Sequence, residues 1–483
     1  MCSFIGIISD NKELIDKVEN EQEEMFLKLR YRGPDIQTFK RVNTNILLGG
    51  FVLSITGEAS QPVLKDDACL LWNGEIYNCP SDYESDTRFL IDYFNNGGLE
   101  KMYETSKPED GKIVTSLDGE YVITYIKDGL LHIITDDFFT KPMCYYLTED
   151  TLIFSSYESG ILEVAPGAEV THGLPNTHYV FDIHKKKLIS QREIYKWDFE
   201  PRYDTYDLWN EAYSLSVSKR CKTSKKLFLP LSSGYDSGGI CSEVLHLDIP
   251  CTMYSYVGIE NRHILAERKR LIKEKKNEHI IIDPQPNFES NFGDFADRVE
   301  NWIAYHYDGT PYLDIYHAYS CFGHFLICAH AKKTGHDVCL SGHGADEIYS
   351  DYYSPRTKGV SVVNGNYTGW RKKWPNFDMG YGRNILGMFD RTAGSVGIET
   401  RYPYLDKEAV QNFLWLTDDL KNKKYKQCQH QNMEKRNFPF DSLNLKVGLR
   451  IFKDDMHNET FKRTLKAYYR KNNIQRPAWI AGY

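Results

Sequence analysis

The stretch Leu231–Gly239, reading LSSGYDSGG, limits what this chain can fold into more than any other. It follows the apolar run Leu227–Leu231 and opens onto Ile240–Leu245, so the small residues fall at a turn from strand into helix. Backbone N–H groups at a helix start have no partner within the helix, and the helix dipole favours an anion there. Ser232, Ser233 and Gly234 let phosphate oxygens approach the main chain closely. An ordinary strand-to-helix turn has the same composition, and the absence of a Gly-Lys-Ser/Thr ending excludes a Walker A loop. From Asp207 onwards strand and helix patterns alternate. Leu227–Leu231, Thr252–Val257 and His279–Ile282 read as strands, with Ile264–Lys275 a helix between the last two. That alternation predicts a doubly wound parallel sheet, with ligands at the carboxyl ends of its strands. Val338–Ser341 is a further strand, running into LSGHGADEIYSDY at Leu340–Tyr352, so Asp236 and Asp346 both fall at strand ends.

With 483 residues the chain holds about three domains or two large ones. The polar, aromatic segment around Ile194–Tyr206, punctuated by Pro201, marks the boundary, giving domains at 2–195 and 206–483. A net charge of -8 argues against a nucleic-acid partner. Lysine runs at Lys185–Lys187, Lys273–Lys276 and Lys421–Lys426 are expected to be solvated faces. No apolar run approaches the roughly 18 residues a membrane helix needs, and Met1–Asp10 lacks the basic leader of a signal peptide. Eleven cysteines without a C-x-x-C pair fit neither a disulfide framework nor a zinc ribbon, which points to a reducing, cytoplasmic setting.

The N-terminus reads Met1-Cys2-Ser3-Phe4. Removal of Met1 leaves one residue carrying a thiol and a free α-amine, whose ordinary pKa of about 8 lets it serve as base for the thiol. A buried structural cysteine opening a strand is the plainer alternative. Six further stretches then resemble, in order, the glutaminase domain of class II glutamine amidotransferases. They are YRGPD (Tyr31–Asp35), LGGFVLSITGEASQP (Leu48–Pro62), LWNGEIYN (Leu71–Asn78), Ser85-Asp86-Thr87, LDGEY (Leu117–Tyr121) and TDDFFTKPMCYY (Thr135–Tyr146). The resemblance implies an N-terminal Ntn-type α/β/β/α sandwich, with Cys2 as nucleophile, Asn73 and Gly74 as oxyanion donors, and Glu75 and Asp86 holding the α-ammonium of glutamine. An oxyanion does need a side-chain amide and a backbone N–H, although Asn-Gly alone would suggest a hairpin turn. One departure stands out: the arginine that holds the glutamine carboxylate in this family is replaced by Val52, with Arg41 and Arg32 as candidate substitutes. Ser3 stands where the family has glycine.

The Leu231–Gly239 loop resembles the SGGxDS loop of ATP-pyrophosphatases, and Ser341–Tyr352 the SGxGADExFGGY motif of asparagine synthetases. Asp390-Arg391 and IETRYPYLD (Ile398–Asp406) continue the match, so the chain is similar to glutamine-dependent asparagine synthetases over nearly its whole length. This implies an ATP-dependent carbon–nitrogen ligase. ATP and pyrophosphate would lie on Ser232, Ser233, Gly234, Tyr235, Asp236, Ser237, Ser341, Gly342 and Lys446, with Lys426 a rival for the last. Mg²⁺ would be held by Asp236 and Asp346, as carboxylates plus phosphates commonly hold it; a helix cap is the plainer reading of Asp346. The implied substrates are glutamine, ATP and an acceptor carboxylate, aspartate by default, in a chain for which a homodimer is allowed. His343 occupies a position that is acidic in asparagine synthetases, and a catalytic role facing the acyl-adenylate is expected of it, against a plain local hydrogen bond. Two alternatives stay open. One is an ATP-dependent cyclase of β-lactam or macrolactam type with a degenerate glutaminase domain; the other is a non-catalytic nucleotide-binding protein.

Overall fold

A computed structural model describes residues 2–103, 112–113, 115–256, 260–283, 288–305, 311–349, 386–423, 426–441 and 455–471. The N-terminal strands are β1 (Ser3–Ser9), β2 (Ile36–Asn43), β3 (Ile46–Val52), β4 (Val63–Lys65), β5 (Ala68–Ile76), β6 (Gly119–Lys127), β7 (Leu130–Thr135), β8 (Cys144–Leu147), β9 (Thr151–Ser155), β10 (Thr171–His172), β11 (Thr177–Asp182) and β12 (Lys187–Glu193). They form two six-stranded antiparallel sheets, ordered β10-β8-β9-β1-β3-β2 and β12-β11-β7-β6-β5-β4. Alternation along β1 explains the layering, because successive side chains of a strand point to opposite faces. Phe4 and Ile8 meet Leu71, Val122 and Leu131 of the second sheet, while Ile5 and Ile7 meet Ile15, Leu29 and Ile161 of three outer helices. On the other side Leu90, Ile91 and Phe94 of the helix Asp86–Asn95 cover Leu70, Trp72 and Ile123. The result is the expected α/β/β/α sandwich, in which each such buried side chain is worth about 1.5–3 kcal/mol.

The second half carries β13 (Lys226–Pro230), β14 (Thr252–Tyr256), β15 (Glu278–Ile282), the short pair β16 (Ile303–Tyr305) and β17 (Pro311–Asp314), β18 (His336–Leu340) and β19 (Glu399–Arg401). All pairings in the sheet β15-β14-β13-β18-β19 are parallel. Both faces are covered: Leu227, Leu229, Val338 and Leu340 pack with Trp209, Tyr213 and Val244, whereas Phe228 and Cys339 pack with Phe292, Phe322 and Ile327. Sequence-adjacent strands run outward from β13 to β15 before the chain returns to β18. The order therefore reverses between β13 and β18, and the loops that leave these two strands flank the crevice where such sheets bind ligands.

The two halves share a buried seam. Arg220 donates to Glu120 at 2.7 Å and Asp406 at 2.9 Å, Lys219 reaches Asp118 at 2.6 Å and Asp406 at 2.5 Å, and Lys141 lies 3.4 Å from Glu120. Three cations face three carboxylates, and Leu53, Ile55 and Phe138 of the first half join the core of the second. The Arg-Tyr-Pro-Tyr-Leu-Asp turn braces this seam, since Asp406 pairs with Lys219 and Arg220 and also caps the helix Lys407–Leu414. The Lys273–Lys276 run is exposed as expected, but the other two runs depart in part: Lys186, Lys421 and Lys426 are buried, Lys421 donating to Leu414 O at 2.7 Å. A charge run shows composition only; Lys426, for one, leaves the solvent because Asp236 and Asp346 are brought to it from distant segments.

Candidate functional site: two centres joined through one strand

The first centre starts at the end of β1. Cys2 N–H donates to Asn73 Oδ1 at 2.8 Å, Arg32 Nε donates to Cys2 O at 2.9 Å, and Gln61 Nε2 lies 3.7 Å from Cys2 Sγ. Because the carbonyl of Asn73 is committed to Cys2, its Nδ2 points elsewhere, and that buried donor has no hydrogen-bond partner. A buried unpaired N–H costs about 1–3 kcal/mol, so a donor held in this state beside a nucleophile fits an anion formed only during reaction. Asn73 and Gly74 do not form the hairpin turn that their sequence suggests; both lie inside β5, paired with Val122 and Tyr121 of β6. Gly74 is required there by its φ of 150° and because a Cβ would stand 2.0 Å from Glu120 O. Burial raises the Cys2 thiol above its ordinary pKa despite the positive chain terminus and the Leu53 N–H. The resting sulfur is therefore held as a thiol.

Glu75 and Asp86 are buried together, one on β5 and one in the first turn of the helix that Ser85 caps. Burial, and then the charge of Glu75, pushes Asp86 well above the usual carboxylate range; burial also raises Glu75, against the pull of Arg401. Two such carboxyls ionise readily only when a cation joins them, which is what an α-ammonium supplies. Thr56 donates to Glu75 Oε1 at 2.5 Å, and Arg401 Nη2 stands 3.2 Å from Glu75 Oε2. Val52 is buried at the end of β3. Of the two substitute arginines, Arg41 is excluded: it pairs with Asp16 and Glu19 at 2.7 Å each, at the far end of β2. Arg32 does reach the nucleophile, held by Tyr157 at 2.6 Å and Asp390 at 2.8 Å, with Nη2 lacking a hydrogen-bond partner.

The second centre lies at the switch point. Gly234 is the extended residue that caps the helix Tyr235–His246. The loop before it is fixed by its own serines, with Ser232 N–H donating to Ser237 Oγ at 3.0 Å and Gly234 N–H to Ser232 Oγ at 3.1 Å. Arg268 crosses behind, donating to Ser232 O and to Gly234 O, and packs on Gly238, where a Cβ would come within 2.5 Å of its Nη2. Tyr235 turns away from the loop, its hydroxyl donating to Asp441 O at 2.6 Å, and leaves its main chain to face a ligand. Gly342 lets the second loop approach the first, since a Cβ there would lie 3.1 Å from Asp236 Cβ. Asp346 sits inside the helix Ala345–Tyr349, in its first turn, and not at the cap position. Lys426 joins the two loops by ion pairs to both Asp236 and Asp346. Lys446 lies outside the described residues. His343 receives or donates a 2.5 Å bond between Nδ1 and Ser341 Oγ, with its ring 3.7 Å from that of Phe389. Burial, then the neighbouring His324, lowers its pKa to about 3, so the imidazole is neutral at pH 7.

Asp236 and Asp346 fit a divalent cation by their chemistry and shared partner. Among the described residues no group of three or more His, Cys, Asp or Glu is arranged for a metal, so phosphate oxygens would supply the remaining ligands. Several residues of these centres carry no individual signal in the sequence: Gln61 lies within Leu48–Pro62, and Glu399 and Arg401 within Ile398–Asp406, without a role of their own. Arg401 meets Glu75 from the other half of the chain, and Glu399 lies in the field of Lys141 from that half. Burial opposes the charge of Glu399, but the positive chain terminus, Arg401 and Lys141 hold it low, at about 2. Arg401 touches both centres: its carbonyl accepts from Ser341 N–H at 2.9 Å while its guanidinium pairs with Glu75.

The glutamine amidotransferase domain family matches residues 1–195 and the asparagine synthase family residues 209–362. Glutamine-hydrolysing asparagine synthetases of Rattus norvegicus and Gallus gallus are 22% and 25% identical over 446 and 443 residues, in each case 82% of this chain and 74% of the relative. A solved glutamine phosphoribosylpyrophosphate amidotransferase from B. subtilis aligns over 47% of this chain and 60% of its own, at 12% identity and a TM-score of 0.27, so the fold rests on the sheets described above. Among the described residues no helix is long and apolar enough to cross a membrane. With both domain families matched in order, and relatives aligned across the seam between them, the chain belongs to the glutamine-dependent asparagine synthetase family, whose members are ATP-dependent, glutamine-hydrolysing ligases.

Proposed function

We propose that this protein hydrolyses glutamine at Cys2 and uses the ammonia to amidate a carboxylate activated as its adenylate, with aspartate as the default acceptor. The observation that carries the reading is Arg401, whose guanidinium lies in the glutaminase pocket while its carbonyl fixes the second adenylation loop. Loss of Met1 frees the Cys2 amine, which takes the thiol proton. The thiolate attacks the amide, the oxyanion is received by Asn73 Nδ2 and the Gly74 N–H, and the amine returns its proton to the leaving ammonia, leaving a thioester on Cys2; water, deprotonated by the same amine, then breaks the carbon–sulfur bond to release glutamate and the thiol. Glu75 and Asp86 hold the substrate ammonium.

At the switch point the acceptor carboxylate attacks the α-phosphorus of ATP, forming the acyl–phosphate bond as the bond to pyrophosphate breaks. Ser232, Ser233, Gly234 and Ser237 would exchange their internal hydrogen bonds for the departing pyrophosphate, and Asp236 and Asp346 would hold Mg²⁺, which would neutralise the pyrophosphate charge. Ammonia then displaces AMP from the acyl group. His343, neutral at pH 7 but held to a pKa of about 3 and so a weak base, would serve the acyl-adenylate as a hydrogen-bonding group to the attacking ammonia, whose surplus proton leaves with AMP. All eleven cysteines are free thiols, which agrees with a cytoplasmic setting. The intact Cys2–Asn73 contact weighs against a cyclase with a spent glutaminase domain. The test incubates protein with ATP, Mg²⁺ and either glutamine or ammonia, screening acceptor acids for AMP, pyrophosphate and glutamate. AMP and amide formed with aspartate support the reading; adenylation of another acid moves the acceptor, and no glutamate release with active ammonia use removes the glutaminase step.

A further inference from the structure

The two loops at the switch point carry internal ion contacts on the same atoms that a nucleotide and its cation would use. Glu260 directs one carboxylate oxygen at both donors of Ser233, the N–H at 2.7 Å and the hydroxyl. Lys426 sets its ammonium against Asp236 and Asp346, its side chain only 1% exposed. Neither contact is a chance surface pair. Ser233 Oγ also accepts the Asn261 N–H at 3.1 Å, which ties the residue after Glu260 onto the loop. Lys426 adopts a left-handed conformation, φ 49° and ψ 48°, immediately before the helix Gln427–Lys435. That conformation is uncommon outside glycine and asparagine, and its cost is borne where surrounding contacts fix the residue.

Both contacts copy a ligand in charge. A carboxylate bound through a backbone N–H and a hydroxyl uses the donors a phosphate oxygen would use. An ammonium between two carboxylates supplies one of the two charges that a divalent cation supplies there. Building on the adenylation site proposed above, we propose that Glu260 and Lys426 are its resident counter-ions, Glu260 competing with phosphate for the loop and Lys426 competing with the cation for the two aspartates, so that nucleotide and cation bind as one unit. A nucleotide arriving alone meets the Glu260 charge while Lys426 stays engaged with the aspartates. A cation arriving alone must expel a buried ammonium that has no new anion to meet. When both arrive together, Lys426 exchanges its carboxylates for phosphate, and Glu260 yields Ser233 to the same phosphate.

Calorimetric binding to the full chain, with Mn²⁺ followed in parallel by its electron paramagnetic resonance signal, tests this without turnover. Three probes are used: ATP in excess chelator, Mn²⁺ alone, and both together. The wild type should bind the pair at least about tenfold more tightly than either alone. Glu260→Gln, which keeps size and removes charge, should tighten chelated ATP by about tenfold and leave Mn²⁺ unchanged. Lys426→Met should tighten Mn²⁺ alone by about tenfold and weaken the pair; Lys426→Gln serves as the second variant, and circular dichroism melts verify folding. The proposal fails if Glu260→Gln leaves chelated ATP unchanged or weaker, or if both folded Lys426 variants bind Mn²⁺ no better. Absence of binding of the pair to the wild type would instead overturn the adenylation site itself.

Discussion

Replacing Asn73 separates the glutaminase chemistry from the rest of the protein. Its Oδ1 receives the Cys2 N–H at 2.8 Å, while its Nδ2 is buried without a partner. In the proposed reaction the side chain would therefore both orient Cys2 and present a donor to the oxyanion. Removing one donor of this kind costs about 2.7–4 kcal/mol, a loss of about 10²–10³ in kcat. Asn73→Ala should slow glutamine-dependent glutamate release by that factor. Asn73→Asp is the sharper variant, because it keeps an acceptor for the Cys2 amine and replaces the donor by an oxygen that repels the forming anion. It should be at least as slow as Asn73→Ala, although it is closer in shape. Amide formation from added ammonia uses the other centre and should stay within about threefold of the wild type. Glutamate release measured with a coupled dehydrogenase, beside amide formation from ammonium chloride, gives both rates. A loss below tenfold, an aspartate variant faster than the alanine one, or an equal loss of both reactions would refute this assignment.

Three further outcomes follow from buried charge. Glu120→Ala leaves Arg220, Lys141 and Lys219 facing only Asp118 and Asp406, and breaking a buried pair this way costs about 3–5 kcal/mol; urea melts should show that loss, and a change under about 1 kcal/mol would mean the seam is solvated. Asp86 titrates well above the usual carboxylate range through burial and Glu75, and only its ionised form holds an ammonium. The KM for glutamine should accordingly rise as pH falls through that raised pKa, with ammonia-dependent synthesis showing no such limb; matched profiles for the two donors would remove Asp86 from the binding site. His343→Ala should cut amide formation far more than glutamate release, and equal effects on both would reduce His343 to its bond with Ser341.

What could be read from the chain alone was the chemistry that neighbouring residues carry in one short stretch. Cys2 behind a removable methionine, Glu75 beside Asn73, and the serines before Asp236 each announce a role within a few positions. The Asn73-Gly74 turn shows the limit of such local signals. Eight paired positions between β5 and β6 outweigh the turn preference of two residues, and the glycine is needed for its φ of 150° within the strand. Lys426 shows another limit. In sequence it ends a polar lysine run, and its burial comes from Asp236 and Asp346, 190 and 80 residues earlier, which only the parallel sheet brings together. Glu399 and Arg401 stayed illegible for the same reason.

Val52 leaves one question about the amide donor that the geometry narrows. A buried carboxylate without a cationic partner is far costlier than one with a bidentate arginine, so a pocket that takes glutamine needs some donor near the position Val52 vacates. Arg41 is excluded by its surface pairing with Asp16 and Glu19. Arg401 already balances Glu75 and Glu399, and moving it to a ligand would leave those two carboxylates in excess of charge. Arg32 differs from both. It stands on the nucleophile through Cys2 O, balances one carboxylate, Asp390, from the other half of the chain, and retains a buried Nη2 that forms no hydrogen bond. We propose that displaced carboxylate recognition falls to Arg32, so that engagement of glutamine there would act on its ion pair with Asp390 across the two halves. Arg32→Lys, which keeps the charge but loses the fork, should raise the glutamine KM at least about tenfold. The smaller γ-amide of a glutamine analogue lacking the α-carboxylate should be insensitive to the change; an equal KM increase for both would show that Arg32 serves the seam and not the substrate.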